Sequence, residues 1–118
     1  MTKTKTGLHT RRAVGAFAFA SLLLFAQGAS AQDVTIDLTV QGKKFQPSEV
    51  RAPANKPIVF RVKNRDAASM EFESKSMRVE KVIPANGEGT IRVRALKPGR
   101  YEFFDDFNES NRGTLIVE

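Results

Sequence analysis

The sequence predicts an all-β protein, a Greek-key antiparallel β-sandwich, on three observations. Short runs of alternating apolar and polar residues recur at close spacing after residue 31. Turn-forming Gly, Pro and Asn residues lie between these runs. No window in this part of the chain combines the apolar repeat of a helix with its capping residues. These features together are typical of two sheets that share one hydrophobic core.

The apolar side of each run indicates how each strand faces the core. From Val34 to Val40 the even-numbered side chains are apolar, which predicts a half-buried strand with that side inward. The segment 45–53 carries two prolines, so we expect it at a sheet edge or in an irregular crossing. Further extended segments are predicted at residues 58–64, 70–73, 79–83, 90–94 and, as a hairpin, 100–117.

Residues 1–31 have the composition of a cleaved signal peptide. Four cations come first, an apolar run follows over residues 13–26, and Ala29-Ser30-Ala31 forms a small-residue cleavage site. The run is shorter than the roughly 20 residues that span a bilayer, so we expect no membrane-spanning segment after cleavage. Sec export is favoured, and Arg11-Arg12 leaves twin-arginine export as the alternative. The prediction is a periplasmic protein with one domain at 32–118.

Composition excludes several classes of chemistry. The chain has no Cys, and its single histidine, His9, lies in the predicted signal peptide. Thiol and imidazole mechanisms, most zinc sites and most haem ligation are therefore excluded for the mature domain. Four of the 19 Lys and Arg lie in residues 1–31, which leaves 15 against 13 Asp and Glu. That small excess does not predict a nucleic-acid partner.

The hairpin over residues 100–117 collects carboxylates near its tip. Asp105, Asp106 and Glu109 follow one another closely, and the fold could bring acids of the 70–73 segment beside them. Oxygen donors of this kind suit Fe(II), Mn(II) or Ca(II), and a methionine would add one soft ligand. The metal ligands predicted from the sequence are Met70, Glu71, Glu73, Asp105 and Asp106.

Simpler roles for these residues stay open at this point. Loop acids commonly pair with nearby cations such as Lys75, Arg78 and Arg112. Asp105 alternates with inward residues, where a carboxylate must be paired or metal-bound, but it could instead accept hydrogen bonds from backbone amides in a turn. Met70 could equally be core packing.

Three motifs distributed over the mature domain resemble a cupredoxin. They are Phe45-x-Pro47-x-x-Val50-x-Ala52, Asn64 before Met70-Glu71-Phe72, and Leu96-Lys97-Pro98-Gly99-x-Tyr101-x-Phe103 leading to Gly113-Thr114-Leu115. The resemblance implies that Met70, Asp105, Asn108 and Asn111 lie at or near the positions of the histidine, cysteine, histidine and axial copper ligands. It therefore implies a cupredoxin-like sandwich without a blue copper centre, because thiolate and imidazole donors are missing.

A nearer resemblance is to the cupredoxin-like subunits of bacterial periplasmic ferrous-iron uptake systems, the EfeO/Ftr type. It is carried by Glu71-Phe72-Glu73-Ser74, Val79-Glu80-Lys81-Val82-Ile83 and Phe104-Asp105-Asp106-Phe107. Such subunits usually have a histidine where this chain has Asn108. The resemblance implies iron or copper as the bound ion. It also implies a periplasmic iron-binding protein and an inner-membrane iron permease as partners.

The sequence therefore predicts a metal-handling accessory protein of ferrous-iron uptake, with iron or copper at an oxygen-rich, non-blue site. Ferroxidase-type iron oxidation is a variant of this function, because carboxylates stabilise Fe(III) over Fe(II). The alternative from a different class is a metal-free interaction module that keeps the sandwich without the site.

Overall fold

The computed structural model describes residues 32–118, and the predicted signal peptide at 1–31 lies outside the described residues. Nine strands and no helix form within this range. No described residue belongs to a helix long and apolar enough to cross a membrane. The strands are β1 (Val34–Val40), β2 (Phe45–Gln46), β3 (Glu49–Ala52), β4 (Ile58–Asn64), β5 (Met70–Ser74), β6 (Val79–Ile83), β7 (Glu88–Val93), β8 (Gly99–Asp105) and β9 (Asn108–Val117).

The strands form two sheets, with orders β2-β1-β4-β7 and β3-β9-β8-β5-β6. The predicted all-β sandwich is therefore confirmed. Two pairs, β1 with β4 and β3 with β9, are parallel, while the other pairs are antiparallel. Alternation along a strand indicates which side is buried but carries no information about the direction of the neighbouring strand. The two parallel strand pairs therefore could not be predicted from alternation.

The predicted inward faces form the core. The even-numbered residues Ile36, Leu38 and Val40 of β1 are buried, as alternation predicts. Phe103 of β8 lies at the centre, with its ring centroid 4.9 Å from that of Phe45. Offset and edge-to-face packing of this kind suits the ring quadrupoles. The core aromatic residues are Phe45, Phe60, Phe72 and Phe103.

The proline-containing segment lies at the edges, as predicted. β2 ends one sheet and β3 ends the other, with Pro47 between them. An edge strand needs only one hydrogen-bonded neighbour, so it tolerates a residue without an N–H group. Phe45 and Ala52 nevertheless point into the core and attach both edges to it.

The hairpin of β8 and β9 turns through Asp106 and Phe107, with a register shift between Phe104 and Asp105. Gly113 lies opposite Phe103 in this hairpin. A Cβ atom at Gly113 would be 2.3 Å from Phe103 Cε2, so close that the ring or the strand would have to shift. Glycine at this position therefore lets the Phe103 ring pack directly against the β9 backbone.

Candidate metal centre

The predicted metal ligands divide between the two faces of the five-stranded sheet. On β5, Met70 points into the core, where it is 2% exposed, while Glu71 and Glu73 are half-buried on the outer face. Asp105 is the cross-strand partner of the buried Phe72, so it points inward and is 5% exposed. Asp106 lies exposed in the β8–β9 turn.

The outer members come together as one group. Glu71, Glu73 and Asp106 each offer a carboxylate oxygen, and these oxygens all lie within 4.8 Å of one another. Alternation on β5 places the two glutamates on the same face. The Asp106 N–H donates to the Glu71 carbonyl at 2.8 Å, which brings the turn alongside β5. Among residues 32–118, no other group of three potential ligands converges in this way. We call these three residues the outer acidic cluster.

Partial desolvation, followed by like charge, raises the pKa values of both glutamates in the outer acidic cluster. Partial desolvation raises the pKa of Glu71 most, followed by a hydrogen bond and charge repulsion from Asp106. The pKa of Glu73 is raised by desolvation and by the Asp106 charge, while Lys75 opposes the rise. Glu80, directly across from Glu73, adds repulsion to both. A bound cation or proton would relieve this repulsion.

No cation within the described range neutralises the outer acidic cluster directly. Six of the acids there form ion pairs, and none of them belongs to the cluster. Among the predicted partners, Lys75 and Arg78 form no ion pair with the described acids. Arg112 pairs with Glu102 at 3.5 Å and lies over the Phe104 ring. The negative charge on this face is therefore concentrated.

Asp105 has a different environment from its neighbour Asp106. Its Oδ1 atom accepts the N–H of Glu71 and the N–H of Phe107, both at 2.9 Å. This is the turn-capping arrangement that the sequence left open as an alternative to metal ligation. The prediction that Asp105 also binds a metal remains a prediction.

Met70 and Asp105 line a pocket of about 200 Å³ at one end of the sandwich, which we call the end pocket. Asn64 and Asn108 also contribute to its wall. Met70 belongs to the continuous hydrophobic core, so the structure gives it a packing role. Its additional role as a soft ligand likewise stays a prediction. Glu109 is exposed on the same hairpin and is not part of the outer acidic cluster.

Two polar residues at this end were not recognised from the sequence as structural. The buried Asn64 side chain donates to the carbonyls of Ala68 at 2.8 Å and Pro84 at 3.1 Å. Asp66 accepts the N–H groups of Gly42 and Lys43, both at 2.7 Å. An Asn at the end of a strand with an Asp two residues later is the available signal, because both residue types commonly hydrogen-bond to turn backbone.

Asn111 is buried on β9 and fastens the edge of the other sheet. Its Oδ1 atom accepts the Phe45 N–H at 2.9 Å. Its Nδ2 atom has no hydrogen-bond partner, and no other buried side-chain N or O atom in residues 32–118 lacks one. The hydrogen bond to Oδ1 therefore gives Asn111 a structural role, the attachment of β9 to β2.

Comparison with known proteins agrees with this fold. A sequence model of the family described as "Cupredoxin-like domain" matches residues 14–117. The chain belongs to the cupredoxin-like domain family. It is also 30% identical over 106 residues to the uncharacterized protein RP394 of Rickettsia prowazekii (strain Madrid E), covering 84% of this chain and 85% of that protein. The name of this relative does not state a function.

Solved structures with this fold include copper proteins. The Cu(I)-bound metal-binding domain of the Streptococcus pneumoniae D39 Cu(I)-exporting P-type ATPase CopA has a TM-score of 0.65 at 16% identity, covering 75% of this chain and 97% of that one. Auracyanin B has a TM-score of 0.64 at 13% identity, covering 75% and 91%. A copper binding protein in its apo form has a TM-score of 0.62 at 19% identity, covering 77% and 100%. These identities establish a shared fold only.

The residues that the motif resemblance equates with copper ligands do not fit a blue copper centre in this cupredoxin-like domain. Met70, Asp105 and Asn108 surround the end pocket, and they supply thioether, carboxylate and amide groups. Neither thiolate nor imidazole occurs among the described residues, and these are the donors that such copper sites require. Asp105 Oδ1 is already occupied by two amide hydrogens.

Proposed function

We propose that this cupredoxin-like protein handles a divalent metal ion in the periplasm, binding it at the outer acidic cluster. The observation that carries the proposal is the convergence of Glu71, Glu73 and Asp106 oxygens within 4.8 Å. Three carboxylates can supply one side of an oxygen-rich coordination shell, with water completing it. The exposed position would allow rapid loading and release.

Electrostatics support this use of the cluster. The pKa values of Glu71 and Glu73 are raised by desolvation and then by repulsion from Asp106, and a divalent ion would remove that repulsion. No ion pair in the described range already serves that purpose. Charge relief therefore adds to the intrinsic attraction between oxygen donors and a hard cation.

We propose Fe(II) as the ion and ferrous-iron uptake as the process, on the motif resemblance described above. In that role the protein would pass iron between a periplasmic iron-binding protein and an inner-membrane permease. Copper is the competing ion, because Cu(II) binds most donor sets more tightly than Fe(II). Metal supply in the compartment would then decide which ion is carried.

The direct test is calorimetric titration of the mature protein with Fe(II) under anaerobic conditions, with Cu(II) and Mn(II) in parallel. We expect saturable binding of one ion. Asp106→Asn and the double substitution Glu71→Gln/Glu73→Gln should each weaken it by about tenfold or more, since coordinating oxygens and charge are lost.

Glu109→Gln is the matched control. It removes one exposed carboxylate from the same hairpin but not from the outer acidic cluster. Fe(II) affinity should therefore be unchanged in this variant. Absence of binding by all three ions, or equal weakening in Glu109→Gln, would remove the support for a site at the cluster.

A metal-free interaction module is the second candidate, and one observation favours it. Val82 and Phe107 are the exposed large hydrophobic residues of the described range, at 50% and 58% exposure. Val82 lies opposite Glu71, and Phe107 follows Asp106, so both border the outer acidic cluster. Apolar contacts beside concentrated negative charge suit a basic protein surface. Absence of saturable metal binding in the titrations, together with specific binding to a basic partner protein, would favour this candidate.

A further inference from the structure

The end of the sandwich around the end pocket is fastened by side chains that bond to backbone. Asp66 ties the β4–β5 loop to the β1–β2 turn, and Asn64 ties that loop to the end of β6. Asn111 attaches β9 to β2. Asp105 joins β5 to the hairpin turn. Asn64, Asp66 and Asp105 all line the end pocket.

Asp105 closes a gap that the hairpin turn leaves in the β5–β8 ladder. An antiparallel hydrogen-bonded pair exchanges two N–H to carbonyl bonds. At the level of Glu71 one of them is present, from the Asp106 N–H to the Glu71 carbonyl at 2.8 Å. The Glu71 N–H is not paired with a carbonyl of the turn but donates to Asp105 Oδ1 at 2.9 Å. The carboxylate thus supplies the second half of the pair.

The same oxygen also holds the turn itself. Asp105 Oδ1 accepts the Phe107 N–H at 2.9 Å, two residues further along the chain. One atom therefore connects β5 with both sides of the two-residue turn. Because Asp105 is 5% exposed, water cannot readily replace it, and its loss would leave amide donors without a partner.

We infer that Asp105 is a structural cross-link that takes the position of a metal ligand and sets the geometry of the end pocket without a metal ion. The Asp105 side chain and its two hydrogen bonds connect β5 with the hairpin turn, as a metal ion bound between these segments would. The inference does not depend on ion binding at the outer acidic cluster, because Asp106 and the outer glutamates lie on the opposite face.

The test compares Asp105→Ala and Asp105→Asn with Asp106→Asn in metal-free, EDTA-treated protein. We expect Asp105→Ala to lower Tm by about 10 °C, the usual consequence of unpairing buried donors in a domain of this size. Asp105→Asn keeps an acceptor oxygen but not the charge, so the decrease in Tm should be about half as large. Asp106→Asn, the adjacent exposed residue, should not lower Tm.

Amide hydrogen exchange gives a readout specific to the cross-link. In Asp105→Ala the amides of Glu71 and Phe107 should exchange about tenfold faster or more, relative to amides elsewhere on β5 and β9. In Asp105→Asn the same two amides should exchange faster by a smaller factor, which keeps the test available if Asp105→Ala does not fold. Unchanged exchange at both amides would overturn the inference.

Metal titration separates this inference from the proposed function. Asp105→Asn should keep native Fe(II) affinity, whereas Asp106→Asn should lose it if the outer acidic cluster is the site. The inference is overturned if Fe(II), Cu(II) or Cu(I) raises the native Tm and Asp105→Asn abolishes that rise while Asp106→Asn keeps it. If Fe(II) binding is retained in both variants, the result contradicts the outer acidic cluster as the binding site and supports the inference that Asp105 acts without a metal ion.

Discussion

Asp105 and Asp106 are adjacent acids on one hairpin, yet their surroundings are opposite. Asp105 is 5% exposed and bonded to two backbone amides, whereas Asp106 is exposed beside two other carboxylates. A buried carboxylate must satisfy its oxygens within the protein, while an exposed one can keep water or exchange it for a cation. Neighbouring residues of one type can therefore serve stability and ion binding separately.

The largest difference between the two faces should appear on β5. Phe72→Ala empties the centre of the aromatic core and should destabilise the domain by about 3–5 kcal/mol, measured by chemical denaturation. Phe72 is fully buried and stacks on Phe103 at 5.3 Å. The next residue, Glu73, provides the control, because Glu73→Ala lies on the outer face and should not lower Tm. A comparable loss in both variants would contradict the assignment of the faces.

Gly113→Ala should act on the inner face by overpacking. The added methyl group would meet the Phe103 ring at 2.3 and 2.4 Å and the Ser48 carbonyl at 3.0 Å. We expect a loss of about 1–3 kcal/mol in the free energy of unfolding. Adding Phe103→Leu to Gly113→Ala should recover part of this loss, since the smaller side chain yields space. Strict additivity in this double-mutant cycle would exclude the proposed clash.

Met70→Leu sharpens the comparison at the end pocket. Because the two side chains have similar volume, the change should cost less than about 1.5 kcal/mol if Met70 is core packing. Fe(II) affinity measured by calorimetry should then be unchanged. A selective loss of Cu(I) affinity would instead identify the thioether as a ligand and restore Met70 to the metal site.

The smallest expected effect is the pH dependence of the outer acidic cluster. The folded-state pKa values of Glu71 and Glu73 are raised, so their neutral forms are favoured by folding. Their contribution to stability is fully present below the ordinary glutamate pKa and is lost as pH rises through the raised values. Glu71→Gln/Glu73→Gln should therefore match native Tm near pH 3 and slightly exceed it at pH 7.

Metal binding at the cluster should show the opposite pH trend. Protons compete with the ion for the same oxygens, so Fe(II) affinity should fall as pH decreases through the raised pKa values. Anaerobic titrations between pH 4 and pH 7 measure this directly. Affinity independent of pH over that interval would indicate that Glu71 and Glu73 do not bind the ion.

The sequence determined most of the fold because alternation reports burial residue by residue. The inward residues Ile36, Leu38 and Val40 of β1 were correctly predicted, as was the edge position of the segment with two prolines. The motifs from Phe45 to Leu115 indicated the cupredoxin-like family, which the family comparison confirms. These features are local or periodic, so one chain read in order contains them.

Only the tertiary structure decided which acids come together. Glu71 and Asp106 are 35 positions apart, and their meeting depends on pairing between β5 and β8 and on the Asp106 N–H to Glu71 carbonyl bond. The same pairing aims Asp105 inward, where its oxygen accepts two amides. Strand partners and their direction are set by packing of the whole sandwich. The acidic residues could thus be identified from the sequence. The sheet register then separated them into the buried Asp105 cross-link and the outer acidic cluster.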